Sequence, residues 1–287
     1  MKNLIKSLLI IIFLIAFQIV GHKIFVNPYV SQWGASDTEF SATMPHDDEA
    51  DFIVSTRAIT INKPLDETWL WINQLGADRS GFFSYYFIEK AMGYYTRTQD
   101  IVTADFPPFT TDDVVRGSIT PKTSLILYEF PVTHVKANEY FTLANWGTFQ
   151  LEAINDQSTR LIIRTHGKDR GGKIANTVDY IAYALHYIME RATINGFKHR
   201  IETGAGARFS DLADLLWFSF IVISGLLIGI LIFILHGFKA IFLPLILSSL
   251  WLVTLFILPA SPINSGLLAL ILLMATFTHA RRRNKSL

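Results

Sequence analysis

Four apolar runs constrain this chain more than any other feature: Leu4–Val20, Leu215–Leu235, Ile241–Leu258 and Ile263–Thr278. At about 1.5 Å per helical residue, each covers most or all of a hydrocarbon layer about 30 Å thick. Soluble helices do not need three such lengths back to back. A multi-pass membrane protein with about four transmembrane helices is therefore expected. The first run also fits a cleaved signal peptide, but Ile19-Val20-Gly21-His22-Lys23 lacks the small-x-small pair that cleavage needs, so a retained anchor is the preferred reading.

Seven of the twenty-five Lys and Arg residues flank these runs. Lys2 and Lys6 sit by the first, Lys239 lies between the second and third, and Arg281, Arg282, Arg283 and Lys285 follow the fourth; Pro259-Ala260-Ser261-Pro262 carries no charge. Four alternating spans place all seven on one side, which the positive-inside rule makes the cytoplasm. The segment Gly21–Asp211 is then expected outside. It holds twenty-three Asp and Glu against eighteen Lys and Arg, a net −5 that the whole-chain value of +1 conceals. An acidic exterior domain excludes nucleic acid as a partner, because phosphate binding needs a basic footprint. With no cysteine, neither disulfides nor thiolate metal sites are available.

The order within the chain is a transmembrane anchor over 1–21, an extended arm over 22–52, an α+β domain over 53–205, a three-helix transmembrane region over 212–280 and a basic cytoplasmic tail over 281–287. Ile53–Ile61 reads as a strand, ended by Pro64. Leu65–Leu75 reads as a helix with Asp66 and Glu67 at its positive end, and Tyr85–Met92 as a second. Ile101–Ala104, Val114–Ile119, Ser124–Val132, Tyr140–Ile154 and Leu161–Thr165 read as antiparallel strands between turn signals. After Gly171-Gly172, Lys173 to about Glu202 reads as a long helix. Its stripe of Ile174, Val178, Ile181, Leu185, Ile188, Ala192 and Ile194 is expected to pack on the sheet.

The stretch Thr56 to Gly76, with Arg57, Trp69, Trp71 and Gln74 inside it, resembles the opening of the SRPBCC superfamily, the START-like and polyketide-cyclase-like group. Trp33-Gly34-Ala35 and Arg79-Ser80-Gly81-Phe82-Phe83-Ser84-Tyr85 resemble segments of an uncharacterised bacterial branch; Pro45-His46-Asp47 departs from that branch, which has glycine at the middle position. The resemblance covers about residues 33–203. It implies a helix-grip fold, a curved antiparallel sheet around the long terminal helix with a cavity between. Relatives bind lipids, sterols or polyketides or catalyse cyclisation and dehydration, so the fold alone does not select a function.

Arg79, beside Phe82, Phe83, Tyr85 and Tyr86, is the leading candidate to fork onto a carboxylate or phosphate head while rings cover an apolar tail; an ion pair with Glu89, Asp37 or Glu39 is the structural alternative. Arg57 needs a partner if it faces the interior, and Glu89 is the candidate. Trp69 and Trp71 lie about 200 degrees apart on a helix, so one is expected in the core and the other over a cavity mouth or the arm. Gln74 offers a donor, Arg164 and His166 share a strand face, and Trp146 is a lining candidate beside Gly147. Tyr180, Tyr183, His186 and Tyr187 cluster on the long helix, with solvent-facing positions as the default.

No zinc motif, phosphate-binding glycine loop, dinucleotide fingerprint or nucleophile elbow occurs, and the eight histidines show no compact ligand spacing. No catalytic residue, metal or cofactor is therefore assigned. Two readings survive: a membrane-tethered extracytoplasmic domain that binds a hydrophobic or lipid-like ligand, and a structural or regulatory envelope protein acting through protein partners. An enzyme on a hydrophobic substrate has less support.

Overall fold

The computed structural model describes residues 2–91, 93, 102, 106–120, 129–204, 211–235 and 239–284. The strand expected at Ile101–Ala104 and the first part of the one expected at Ser124–Val132 lie outside them. In chain order the elements are α1 (Lys2–Gly21), a π-helical segment His22–Val26, α2 (Asn27–Ser31), α3 (Asp37–Ser41), a 3-10 turn Asp47–Glu49, β1 (Phe52–Ile61), α4 (Leu65–Ile72), α5 (Tyr86–Ala91), β2 (Val114–Arg116), β3 (Glu129–Lys136), β4 (Tyr140–Leu143), β5 (Gly147–Asn155), β6 (Ser158–Gly167), α6 (Lys173–Thr203), α7 (Asp211–Ile234), α8 (Lys239–Leu252), a second π-helical segment Val253–Ile257, and α9 (Pro262–Asn284). They form two compact units, Met1–Val30 with Ser210–Leu287, and Ser31–Phe209.

In the first unit, four helices are long and apolar enough to cross a membrane: Leu4–Ser31, Leu212–Ile234, Lys239–Ile257 and Pro262–Arg281. All four expected spans are present. The first differs in length, because Gly21 keeps helical angles and the chain stays helical where an irregular arm is expected. Its 28 residues extend about 42 Å. Ile10, Leu14, Leu231, Leu247 and Leu272 are among the side chains that fill the bundle core. Gln18 Nε2 donates to Ser248 Oγ at 2.7 Å and Ser249 Oγ at 3.1 Å, a polar tie between α1 and α8 in apolar surroundings. The two π-helical segments meet, with the His22 ring edge-on to Phe256 at 4.6 Å. Gly225 and Gly229 of α7 have room beside them: among the described residues, a Cβ at Gly225 would meet only the Trp251 indole nitrogen at 3.9 Å, and one at Gly229 nothing within 4 Å.

The second unit is an α+β domain built on six antiparallel strands in the order β1-β6-β5-β4-β3-β2. The expected strand Tyr140–Ile154 is two strands. Asn145 (φ 65°) and Gly147 (φ 142°) turn the chain back between them, and a Cβ at 147 would sit 1.9 Å from the Arg164 carbonyl oxygen. The sheet is open, with β1 and β2 as its edges among the described residues. This corrects the expected helix-grip arrangement, because the sheet does not curl around the terminal helix. Instead α6 lies against the β1 end of the sheet and against α4.

Both faces of the sheet are covered. On one, Trp69 and Ile72 of α4 and Ile194, Phe197 and Ile201 of α6 pack with Phe141, Phe149, Leu161 and Ile163 of the strands. On the other, Met44 and Ala35 of the arm pack on Ala58 and Ile162. Coverage on both sides explains why Ser55, Thr56, Arg57 and Ala58 are buried in succession rather than alternately. The arm carries a capping box, in which Ser36 Oγ accepts from Glu39 N and Glu39 Oε2 from Ser36 N.

Candidate binding site on the two faces of α6

The inward face of α6 is not the apolar stripe read from the sequence. At about 100 degrees per residue, Tyr183, Tyr187, Glu190, Ile194, Phe197 and Ile201 fall on one side. Tyr187, Glu190, Ile194, Phe197 and Ile201 are buried, and Tyr183 packs edge-on against Phe52 of β1 at 6.3 Å. Ile174, Val178, Ile181 and Leu185 lie on the opposite side and are 83%, 55%, 40% and 55% exposed. Only the later stripe members Ile188 and Ile194 are buried. The expected stripe is thus exposed over the first half of the helix, and the buried side chains of α6 begin only at Tyr187.

Arg57 Nη1 donates to Glu190 Oε2 at 2.7 Å, and its guanidinium lies 4.8 Å from the centre of the Tyr187 ring. Glu190 is the counter-charge, in place of the expected Glu89. The same Oε2 accepts from Thr165 Oγ1 at 3.2 Å and lies 3.3 Å from His186 Nδ1. His186 keeps about a third of its side chain at the surface, while the ring is edge-on to Trp146 at 5.3 Å. Its close packing lowers its pKa by desolvation, an effect that Glu190 opposes and Arg57 reinforces. Trp146 Nε1, Glu190 Oε1 and Ser55 Oγ are buried without a hydrogen-bond partner among the described residues. Ser55 is two residues before Arg57, on the same strand face, and pairs with Thr165. Each of the three groups keeps unused hydrogen-bonding capacity.

The remaining sequence candidates lie elsewhere. Arg79 Nη1 donates to the Asn73 and Pro107 carbonyls at 2.6 and 2.7 Å, and its guanidinium sits 4.1 Å from the centre of the Phe109 ring. It ties two loops together and makes none of the ion pairs considered for it. Gln74 Nε2 bonds the Leu70 carbonyl and its Oε1 accepts from Ser80 Oγ. Trp69, Trp71, Phe82 and Tyr85 are all buried; Trp69 meets Phe141, Trp71 meets Phe83, and Phe82 stacks on Trp146. Glu89 is buried, accepts from Ser84 Oγ, and has its pKa pushed up to about 7 by desolvation, with the Ser84 hydrogen bond and Arg200 opposing. Arg164 projects to the arm side, where it donates to the Ala42, Glu39 and Phe40 carbonyls, to Thr56 Oγ1 and to Asp47 Oδ2 at 2.5 Å.

Of the ten candidates, the structure brings Arg57 and Trp146 into one cluster, and the sequence reading missed Glu190, Thr165 and Ser55. The signal for Glu190 was its helical spacing from Tyr183, His186 and Tyr187. No protein-family model, curated protein or solved structure matches this chain.

Proposed function

We propose that the α+β domain, attached to a multi-span membrane region, lies outside the cytoplasm and binds a hydrophobic or lipid-like molecule through the outward stripe Ile174, Val178, Ile181 and Leu185. The single observation that supports this is the exposure of four large aliphatic side chains along one face of a helix whose second half is packed into the domain. Contiguous exposed apolar surface of this kind marks an interaction site. Lipid is the favoured occupant because the domain continues at both ends into spanning segments, which keeps lipid at high local concentration. The flanking cations support the outward placement.

The test is a photoactivatable residue at Val178 of the full chain in cells, with the same residue at exposed Asp156 in the β5–β6 turn as control. A lipid adduct at 178 and none at 156 is expected. A single protein adduct at 178 would replace this reading with the envelope-partner reading, and equal labelling at the two positions would overturn both.

A further inference from the structure

We propose that His46, Glu49 and His134 form a site for a divalent transition ion of the zinc class, independent of the apolar stripe. One ligand atom from each of the three lies within 4.8 Å of the others. His46 Nδ1 is 3.2 Å and His134 Nε2 is 3.5 Å from the same carboxylate oxygen, Glu49 Oε1. Ligands bound at about 2.0–2.1 Å in a tetrahedron are about 3.3 Å apart, which the two separations from Glu49 match. The two rings are stacked at 3.4 Å with planes 13° apart, so at least one must rotate out of the stack to bring both in-plane lone pairs onto one ion.

Each imidazole also has a hydroxyl near its second nitrogen. His46 Nε2 is 3.5 Å from Tyr140 Oη, and His134 Nδ1 is 3.1 Å from Thr133 Oγ1. Such outer partners set the ring tautomer and orientation in metal sites. The backbone beneath is held independently. His46 takes a left-handed conformation (φ 65°), the Pro45 carbonyl accepts from Thr148 Oγ1 at 3.0 Å, and Asp47 is fixed by Met44 N and Arg164.

Two nitrogens and one oxygen select against magnesium and calcium, which take oxygen ligands. Side-chain exposures of 23%, 46% and 37% for His46, Glu49 and His134 leave an entry path and a coordination position for water. An ion there would bind the arm to strand β3.

The full chain, purified in mild detergent and stripped with a chelator, should take up one Zn²⁺ per molecule at micromolar concentration and no Mg²⁺ or Ca²⁺. His134→Ala and Glu49→Gln should each weaken Zn²⁺ binding about tenfold or more and abolish the Zn²⁺-induced rise in Tm. Glu49 is exposed, so E49Q reads the site even where H134A fails to fold. Tyr140→Phe should weaken binding less than either. Failure of the wild type to bind Zn²⁺, or equal binding by wild type and E49Q, would overturn the proposal.

Discussion

Arg57 Nη1 and Glu190 Oε2 lie 2.7 Å apart although 133 residues separate them in the chain, and both side chains are almost wholly buried. Removing one partner leaves the other charge uncompensated in the interior. Arg57→Ala or Glu190→Ala should therefore destabilise the domain by about 3–5 kcal/mol. The double replacement Arg57→Met with Glu190→Leu should recover most of that loss, because it removes both desolvation costs. Denaturant unfolding of the detergent-solubilised chain followed by tryptophan fluorescence measures both; additive losses would show that the pair is not coupled.

Glu89 has the opposite problem, a buried carboxyl whose pKa lies at about 7 rather than 4.5. Between these values the folded chain keeps a proton that the unfolded chain releases. Its contribution to stability is therefore present below about pH 4.5 and is lost as pH rises through about 7, a change of about 3 kcal/mol. His166 and His186, whose pKa values are lowered by desolvation, act in the other sense as pH rises through 6.5. The difference between wild type and Glu89→Gln isolates the Glu89 part. That difference should grow with pH across this window, and a flat difference would contradict it.

Gly196 sits inside α6, where alanine ordinarily adds about 1 kcal/mol. Here a Cβ would lie 2.0 Å from the Phe83 carbonyl oxygen. The clash is with backbone, and Phe83 itself is already at φ 59°. Gly196→Ala should reverse the usual sign and destabilise by about 1–3 kcal/mol. A measured gain would show that the α6 contact with the Phe83 turn relaxes freely.

The orientation has its own test. A reporter after Arg281 should be active only in the cytoplasm, and one inserted at Asp156–Gln157, in the exposed β5–β6 turn, only outside it. The reverse pattern would overturn the charge argument.

The spans were legible because a long apolar run admits few other uses. Most strands and helices were legible from alternation and from breakers such as Pro64 and Gly171-Gly172, whereas the turn at Asn145 and Gly147 was not. What the sequence concealed depends on register. Arg57 meets Glu190 only because β1 pairs Arg57 with Ile163 and places α6 above it. The apolar stripe of α6 misled for a related reason. Ile174 to Leu185 has the periodicity of a buried face, but α6 is buried only from Tyr187 onward, where Arg57 meets Tyr187 and Glu190. His46, Glu49 and His134 converge only once β3 is laid beside the arm, so their spacing along the chain carries no signal.

The exposed and buried parts of α6 separate two kinds of selection. Substitutions on the Tyr187, Glu190 and Phe197 side are limited by whether the domain folds. The Ile174, Val178, Ile181 and Leu185 side can change to polar residues at a cost to stability within about 0.5 kcal/mol. Persistence of aliphatic residues there through evolutionary drift would measure a demand placed on the domain from outside it. A soluble fragment cut free of its spans would carry that demand into water as a tendency to self-associate.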